Sequence, residues 1–376
     1  MMPPVKRWLL LGCILWTSSC HQAGSVAAGR TLRQYGFVTN GKSNSVSVVN
    51  LATFRLERTI AVGEDPTGVT ASPLRNEVYV VNTGSGTVSV LNAETLQAET
   101  SIRVGRRPYS LELSPDGKTG YVANSESDTV SVIDLIARQV TRTVPVGRGP
   151  GTVKAAPDGK TIVISNRNGA SISIVDLSTM QTTAVVPVGS EPGPIAILPD
   201  GTQAFVANAA SGTVSAVDLR SHKLIAHLET GKTPAALALK PDGGELFVTN
   251  FDSHSVAIIN TYADEVAESL RAGLNPSQAV VDPSGTMLYF SNFGSNTISI
   301  VEINSRHVQA SIEVGTRPDA LALSPDGRYL LVVNTASNDL AVVDAPKQSL
   351  FTVVPVGQSP RAVAVKAFQA AAAGTR

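Results

Sequence analysis

Tryptophan, cysteine and an excess of charge of either sign are what this sequence is short of. Its two Trp, Trp8 and Trp16, and its two Cys, Cys13 and Cys20, all fall in the first twenty of 376 residues. Past that point no disulfide can brace the chain and no indole can fill its core. Stability there must come from Val, Ile, Leu and Ala with a few Phe and Tyr. Lys plus Arg equals Asp plus Glu at 30 each, and no basic run breaks the balance, so nothing argues for a nucleic-acid partner. Long hydrophobic runs are missing too. The apolar stretch from Trp8 to Trp16 is too short for a stop-transfer helix and has the length of a signal h-region.

Lys6 and Arg7 precede that stretch, and Thr17-Ser18-Ser19-Cys20 closes it. The closing residues resemble the lipobox of bacterial lipoproteins, with Thr17 standing where Leu is usual. The resemblance implies a lipoprotein-type signal peptide over 1–19, lipidation of Cys20, and a membrane-anchored, exported protein of the cell envelope facing the periplasm or the exterior. A two-chain anchor of that kind holds stably. Ordinary cleavage after Ser25-Val26-Ala27 is the alternative. Residues 20–35, rich in Ala, Gly and Ser, read as a tether.

From there the chain is periodic. Asn40, Asn82, Asn124, Asn166, Asn208, Asn250, Asn292 and Asn334 stand 42 residues apart without an insertion or deletion. A fixed period of this length means stacked supersecondary units, so one domain rather than the two or three that length alone suggests. Each Asn closes a short apolar run such as Tyr121-Val122-Ala123-Asn124. Before it stands a Pro-Asp-Gly turn, as at 115–117, 157–159, 199–201, 241–243 and 325–327, where Pro presets φ, Asp bonds its own backbone and Gly accepts φ > 0. After it comes a run of the Thr-Val-Ser-Val-Ile-Asp type, with branched residues alternating with small ones. That alternation suits a strand packed on both faces. Asp or Asn ends this strand in seven copies, Glu302 in the eighth, and turns the chain into a last strand.

Four strands per unit, eight units, and a lone first-type strand at 360–366 that can complete a first unit lacking one predict an all-β fold. It is an eight-bladed β-propeller of four-stranded antiparallel blades over 36–366, closed by the C-terminal strand, with a tail at 367–376. Closure of that kind removes exposed sheet edges. The repeated Tyr-Val-x-Asn, Ser-Pro-Asp-Gly-Lys and Thr-Val-Ser-Val-Ile-Asp segments resemble the YVTN-repeat β-propellers of surface-layer type, with lactonase-like and haem d1 propellers as more distant relatives. A WD40 propeller is not supported, since the repeats hold no Trp.

Strand direction puts the fourth-to-first and second-to-third loops on one face, and the residues that vary between repeats lie there. Arg106, Arg107, Arg148 and Arg167 with Tyr109 form the densest candidate site, on blades 3 and 4, suited to an anionic group. Arg317, Arg361 and His254 complete the candidate set. The competing reading pairs these arginines with Glu64, Asp65, Glu126 and Asp128 as solvated surface. No metal site is expected, because His254 with Asp252 is too little, and no cofactor is expected. No catalytic constellation is present: no Gly-x-Ser-x-Gly elbow and no His base beside a Ser. The expectation is a monomeric binding or scaffold protein for a protein, glycan or small anionic ligand. A channel-mouth enzyme or cofactor-handling propeller, lactonase-like or haem d1-like, is the alternative, and a structural envelope protein the third.

Overall fold

In a computed structural model the protein is described over residues 30–371. The expected signal peptide and Cys20 lie outside the described residues. Each 42-residue unit folds as one four-stranded antiparallel sheet, and eight such sheets make the ring. In blade 3, strand a (Pro108–Leu113) is innermost, followed outward by b (Thr119–Asn124), c (Thr129–Asp134) and d (Gln139–Pro145). Blade 1 takes its b, c and d strands from the start of the ring and its a strand (Pro360–Ala371) from the end. The closing pair is longer than the repeat: Arg30 pairs with Ala371 at one end and Asn40 with Pro360 at the other. Strand structure therefore extends into the segments assigned from sequence to tether and tail.

Strands b and c are buried on both faces, as their alternation predicts. Val88, Val90 and Tyr79 of blade 2 pack against Val122, Ile133 and Leu135 of blade 3, and equivalent clusters fill the other seams. Each fully buried aliphatic side chain contributes about 1.5–3 kcal/mol. The c-to-d turn is held as expected, with Asp134 Oδ1 accepting from the Ile136 and Ala137 amides at 2.8 Å. Glu302 does the same work with two oxygens, taking the Asn304 amide at 3.2 Å and the Ser305 amide at 2.7 Å.

The asparagine ladder explains its own period. Asn124 is fully buried. Its Nδ2 donates to Thr129 and Ser131 of strand c at 3.2 and 2.9 Å, and its Oδ1 accepts from the Gly105 amide at 3.0 Å. A Cβ at Gly105 would lie 2.5 Å from Asn124 Cγ, so the Gly two residues past every d strand is there to let the Asn side chain approach. One side chain thus joins b, c and the incoming loop of its blade.

Candidate functional site at the channel mouth

The loops of one face are locked together by a second repeated network. The amides of Arg106, Lys232, Leu274 and Thr316 donate to Ser127, Ser253, Ser295 and Ser337, each 21 residues on. The residue before each strand-a Pro takes positive φ, Gly149 in blade 4 but Asp65, Arg107, Glu191, Thr233, Asn275, Arg317 and Ser359 elsewhere. Left-handed backbone costs a non-glycine residue roughly 1–2 kcal/mol, so these seven are held by their surroundings. Asn44, Asp128, Asn296 and Asn338 accept the amides of Asp65, Gly149, Arg317 and Ser359 at 2.7–3.0 Å. His254 occupies the same repeat position, and its Nδ1 accepts the Asn275 amide at 3.0 Å. The structure gives this imidazole a place in the loop frame.

Pairing between strands a and b skips at the head of each blade. Pro108 faces Asn124 and Ser110 faces Ala123, so Tyr109 is left out of the ladder. Thr67, Ala235 and Arg361 are left out in the same way. An irregularity of this kind re-aims a side chain. The residue after each Pro consequently forms a ring around the channel mouth, and the ring is lopsided. One arc carries Ser277, Asp319, Arg361, Thr67 and Tyr109; the other carries Gly151, Gly193 and Ala235.

A cavity lies over each arc. That over the polar arc, about 450 Å³, is lined by Thr67, Tyr109, Asp319 and Arg361, with Phe293, Thr335 and Ser359 above them. That over the bare arc, about 660 Å³, has Gly151, Gly193, Pro194 and Ala235 for a floor and Arg167, Asn168 and Glu191 at its rim. Tyr109, half-exposed, is common to both. Nothing crowds a Cβ at Gly193, where only Ala207 O comes within 4.0 Å, so the missing side chain leaves room in the cavity. A third cavity of about 380 Å³ adjoins the first and holds Lys42 and Arg317.

The candidate arginines separate on inspection. Arg107 Nε pairs with Glu126 Oε1 at 3.3 Å, Arg167 with Glu191 at 3.2 Å, and Arg361 with Asp65 at 3.2 Å. Arg106 Nη2 donates to the Glu126 carbonyl at 2.9 Å. Arg148 is exposed at the blade 3 to blade 4 loop, and its carbonyl accepts the Asn168 amide at 3.2 Å. Arg317 lies over the Phe293 ring, 5.5 Å from its centroid. Tyr109 and Arg361 share the polar cavity, with Arg317 in the adjoining one, whereas Arg106, Arg148 and His254 line none of these three.

Asp319 is the residue that the candidate set omitted. Burial pushes its carboxyl above the ordinary range, against the opposing pull of the nearby Ser277 hydroxyl and Arg361. Ser277 Oγ is directed at the Pro318 carbonyl (3.3 Å) and at Ser291 Oγ (2.9 Å), and Arg361 is committed to Asp65. The place of Asp319 beside the repeated Pro sets it near the channel from sequence, but nothing local showed that this carboxyl is drawn partly out of water. Among the described residues no group of three or more His, Cys, Asp and Glu could hold a metal ion, and no helix is long and apolar enough to cross a membrane.

Comparison with known proteins supports the architecture. A YNCE-like β-propeller family model matches residues 70–160 and 144–237, and a lactonase, 7-bladed β-propeller model matches 259–366. This ring has eight blades. No curated protein matches the chain. Among solved structures, hydrazine synthase of Kuenenia stuttgartiensis is similar at 23% identity and TM-score 0.61, covering 75% of this chain and 97% of that one. The dihydro-heme d1 dehydrogenase NirN, in complex with DHE, is similar at 14% identity and TM-score 0.74, covering 88% and 74%. A functionally unknown protein from Desulfotomaculum acetoxidans DSM 771 is similar at 17% identity and TM-score 0.64, covering 77% and 98%. At these identities the likeness is one of fold.

Proposed function

We propose that this chain, a repeat β-propeller of the kind the YNCE-like and lactonase models describe, is an exported binding protein. It is tethered to the membrane through Cys20 and takes a small anionic ligand in the channel mouth on its loop-bearing face. The lopsided ring at the position after each Pro carries this reading. The repeat of Asn, Ser and Gly that sets the frame does not dictate the polarity of this position, which is Arg361, Thr67 and Tyr109 on one arc and Gly151 and Gly193 on the other. Departures from a local rule inside a consistent fold belong to sites, and cavities of 300–1,000 Å³ with a few convergent polar groups are what small molecules occupy. Lys42 and Arg317, which belong to no ion pair among the described residues, supply the positive charge, and Tyr109 with Phe293 the apolar faces.

The test is thermal melting of the lipid-free chain against a panel of organic acids, phosphate esters, sugar acids and neutral sugars, beside the Tyr109→Ala variant. A compound class that raises the wild-type melting temperature, and does so much less in the variant, supports the mouth as the site. A panel without effect, or effects untouched by Tyr109→Ala, argues against it. Tethering is read separately, from metabolic labelling with a fatty acid and its loss in Cys20→Ala.

The enzyme reading keeps one specific support. A carboxyl raised by burial and open to a cavity is suited to general acid or base work. Turnover of any bound compound, abolished by Asp319→Asn with binding retained, would favour it.

A further inference from the structure

Arg317 and Asp319 flank Pro318, so their Cα atoms are at most about 7 Å apart, yet they serve two adjoining cavities. The cavity of Arg317 also holds Lys42, with Asn338 and Gln358 beside them, and no carboxylate lines it. The cavity of Asp319 adjoins it through Thr335 and Ser359, which line both. The ion pairs of this face join Arg107 to Glu126, Arg167 to Glu191 and Arg361 to Asp65. Among the described residues Lys42, Arg317 and Asp319 belong to none.

A carboxylate drawn partly out of water without an ion-pair partner is costly, and Asp319 is only partly exposed. The Arg361 guanidinium faces Asp319 but is paired with Asp65, and the Ser277 hydroxyl beside it is shared with the Pro318 carbonyl and Ser291 Oγ. Two cations without a carboxylate on one side of Pro318, and on the other a carboxylate whose neighbouring guanidinium, Arg361, is paired with Asp65, make a site with two poles.

We propose that the two cavities bind a single small zwitterion, an amine-bearing carboxylate, with its carboxylate at Lys42 and Arg317 and its ammonium at Asp319. This rests on the reading of the channel mouth as a ligand site and names the ligand class. The carboxylate end gains charge-assisted hydrogen bonds from a flexible ammonium and a planar guanidinium already oriented by the Phe293 ring. The ammonium end pairs a partly buried charge, so it contributes more than a hydroxyl in its place would. Ammonium capture requires Asp319 ionised, and binding therefore weakens as pH falls through the pKa of this carboxyl.

Isothermal titration of the full chain with glycine, β-alanine and 4-aminobutanoate, each beside its deamino partner acetate, propanoate or butanoate, tests this. At least one amino acid should bind about tenfold or more tightly than its partner, the worth of one charge-assisted hydrogen bond. Asp319→Asn should erase that preference while carboxylate binding persists, and Lys42→Met with Arg317→Met should abolish both. Equal affinities within each pair, or a preference that survives Asp319→Asn, overturn the zwitterion and leave an anion site. Binding of neither series overturns the zwitterion and the anion site together.

Discussion

The Arg138 guanidinium of blade 3 donates to the Glu77 carboxylate of blade 2 at 3.0 Å, across a seam and 61 residues apart. The same offset recurs at other seams with other chemistry. Arg306 pairs with Glu245, and Gln203 Nε2 donates to Asp264 at 2.6 Å. Where the chain ends meet, Phe54 and Tyr329 stand in the equivalent places with ring centroids 4.9 Å apart. Eight units of one sequence pattern could stack out of order. Complementary pairs that differ from seam to seam disfavour the wrong neighbours.

Glu77→Gln and Arg138→Met should each destabilise the protein by about 1–2 kcal/mol, between the values for exposed and buried pairs. The double variant should lose less than the sum, with a coupling of about 0.5 kcal/mol or more, read from denaturant midpoints. Acid titration carries a second signature. Burial alone would raise the Glu77 carboxyl, but hydrogen bonds from Tyr79, Arg75 and Arg138 hold it below its ordinary range. A lowered carboxyl contributes stability that is present above the unfolded value, about pH 4.3, and is lost as pH falls through the folded one. Glu77→Gln should therefore show a shallower loss of stability below pH 4.5 than wild type.

Replacing Asn124 removes three hydrogen bonds at once. Asn124→Leu strands the Gly105 amide and the Thr129 and Ser131 hydroxyls inside the blade. The expected cost is roughly 2–4 kcal/mol, seen as a lower urea midpoint with an unchanged slope.

The architecture was legible because it rests on period. The 42-residue spacing, the Pro-Asp-Gly turns and the missing first strand of blade 1 each have one structural solution, and the ring takes it. The candidate site was legible only in part. Loop position and variability pointed to Tyr109, Arg317 and Arg361, which do converge on adjoining cavities. Which of the variable residues turns inward depends on the skipped pairing after each Pro, a feature of backbone register that leaves no mark on residue type. Asp319, a variable residue beside the same Pro as Arg317, was left out of the candidate set for this reason. His254 drew attention as the one loop imidazole, although the seven other repeats, with Asn, Asp, Gly or Ala at that position, identify it as part of the frame.

Asp319→Asn should stabilise the unliganded protein at neutral pH. A carboxyl raised in the folded state contributes most below its unfolded pKa, about 3.9, and that contribution is lost as pH rises through the folded value. The amide has nothing to ionise. The melting temperature of the variant should exceed that of wild type at pH 7, and the difference should close as pH falls toward 3.5. A wild type equally stable relative to the variant at both pH values would mean that the carboxyl bears no burial cost, and the case for a ligand completing it would weaken.

Gly193 and Gly105 make opposite predictions from one residue type. Gly105 sits against Asn124, and Gly105→Ala forces a Cβ to 2.5 Å from its side chain, so a loss of about 2 kcal/mol or more is expected. Gly193 has an ordinary φ and open space in front of it. Gly193→Trp should melt within a degree or two of wild type while filling much of the 660 Å³ cavity. Ligands that lie across the bare arc are then excluded, whereas a small ligand held by Lys42, Arg317 and Asp319 on the far side of the mouth keeps its affinity. Calorimetry on this one variant thus separates the two halves of the mouth, and a variant that unfolds would show that the bare arc is packing space rather than room for a ligand.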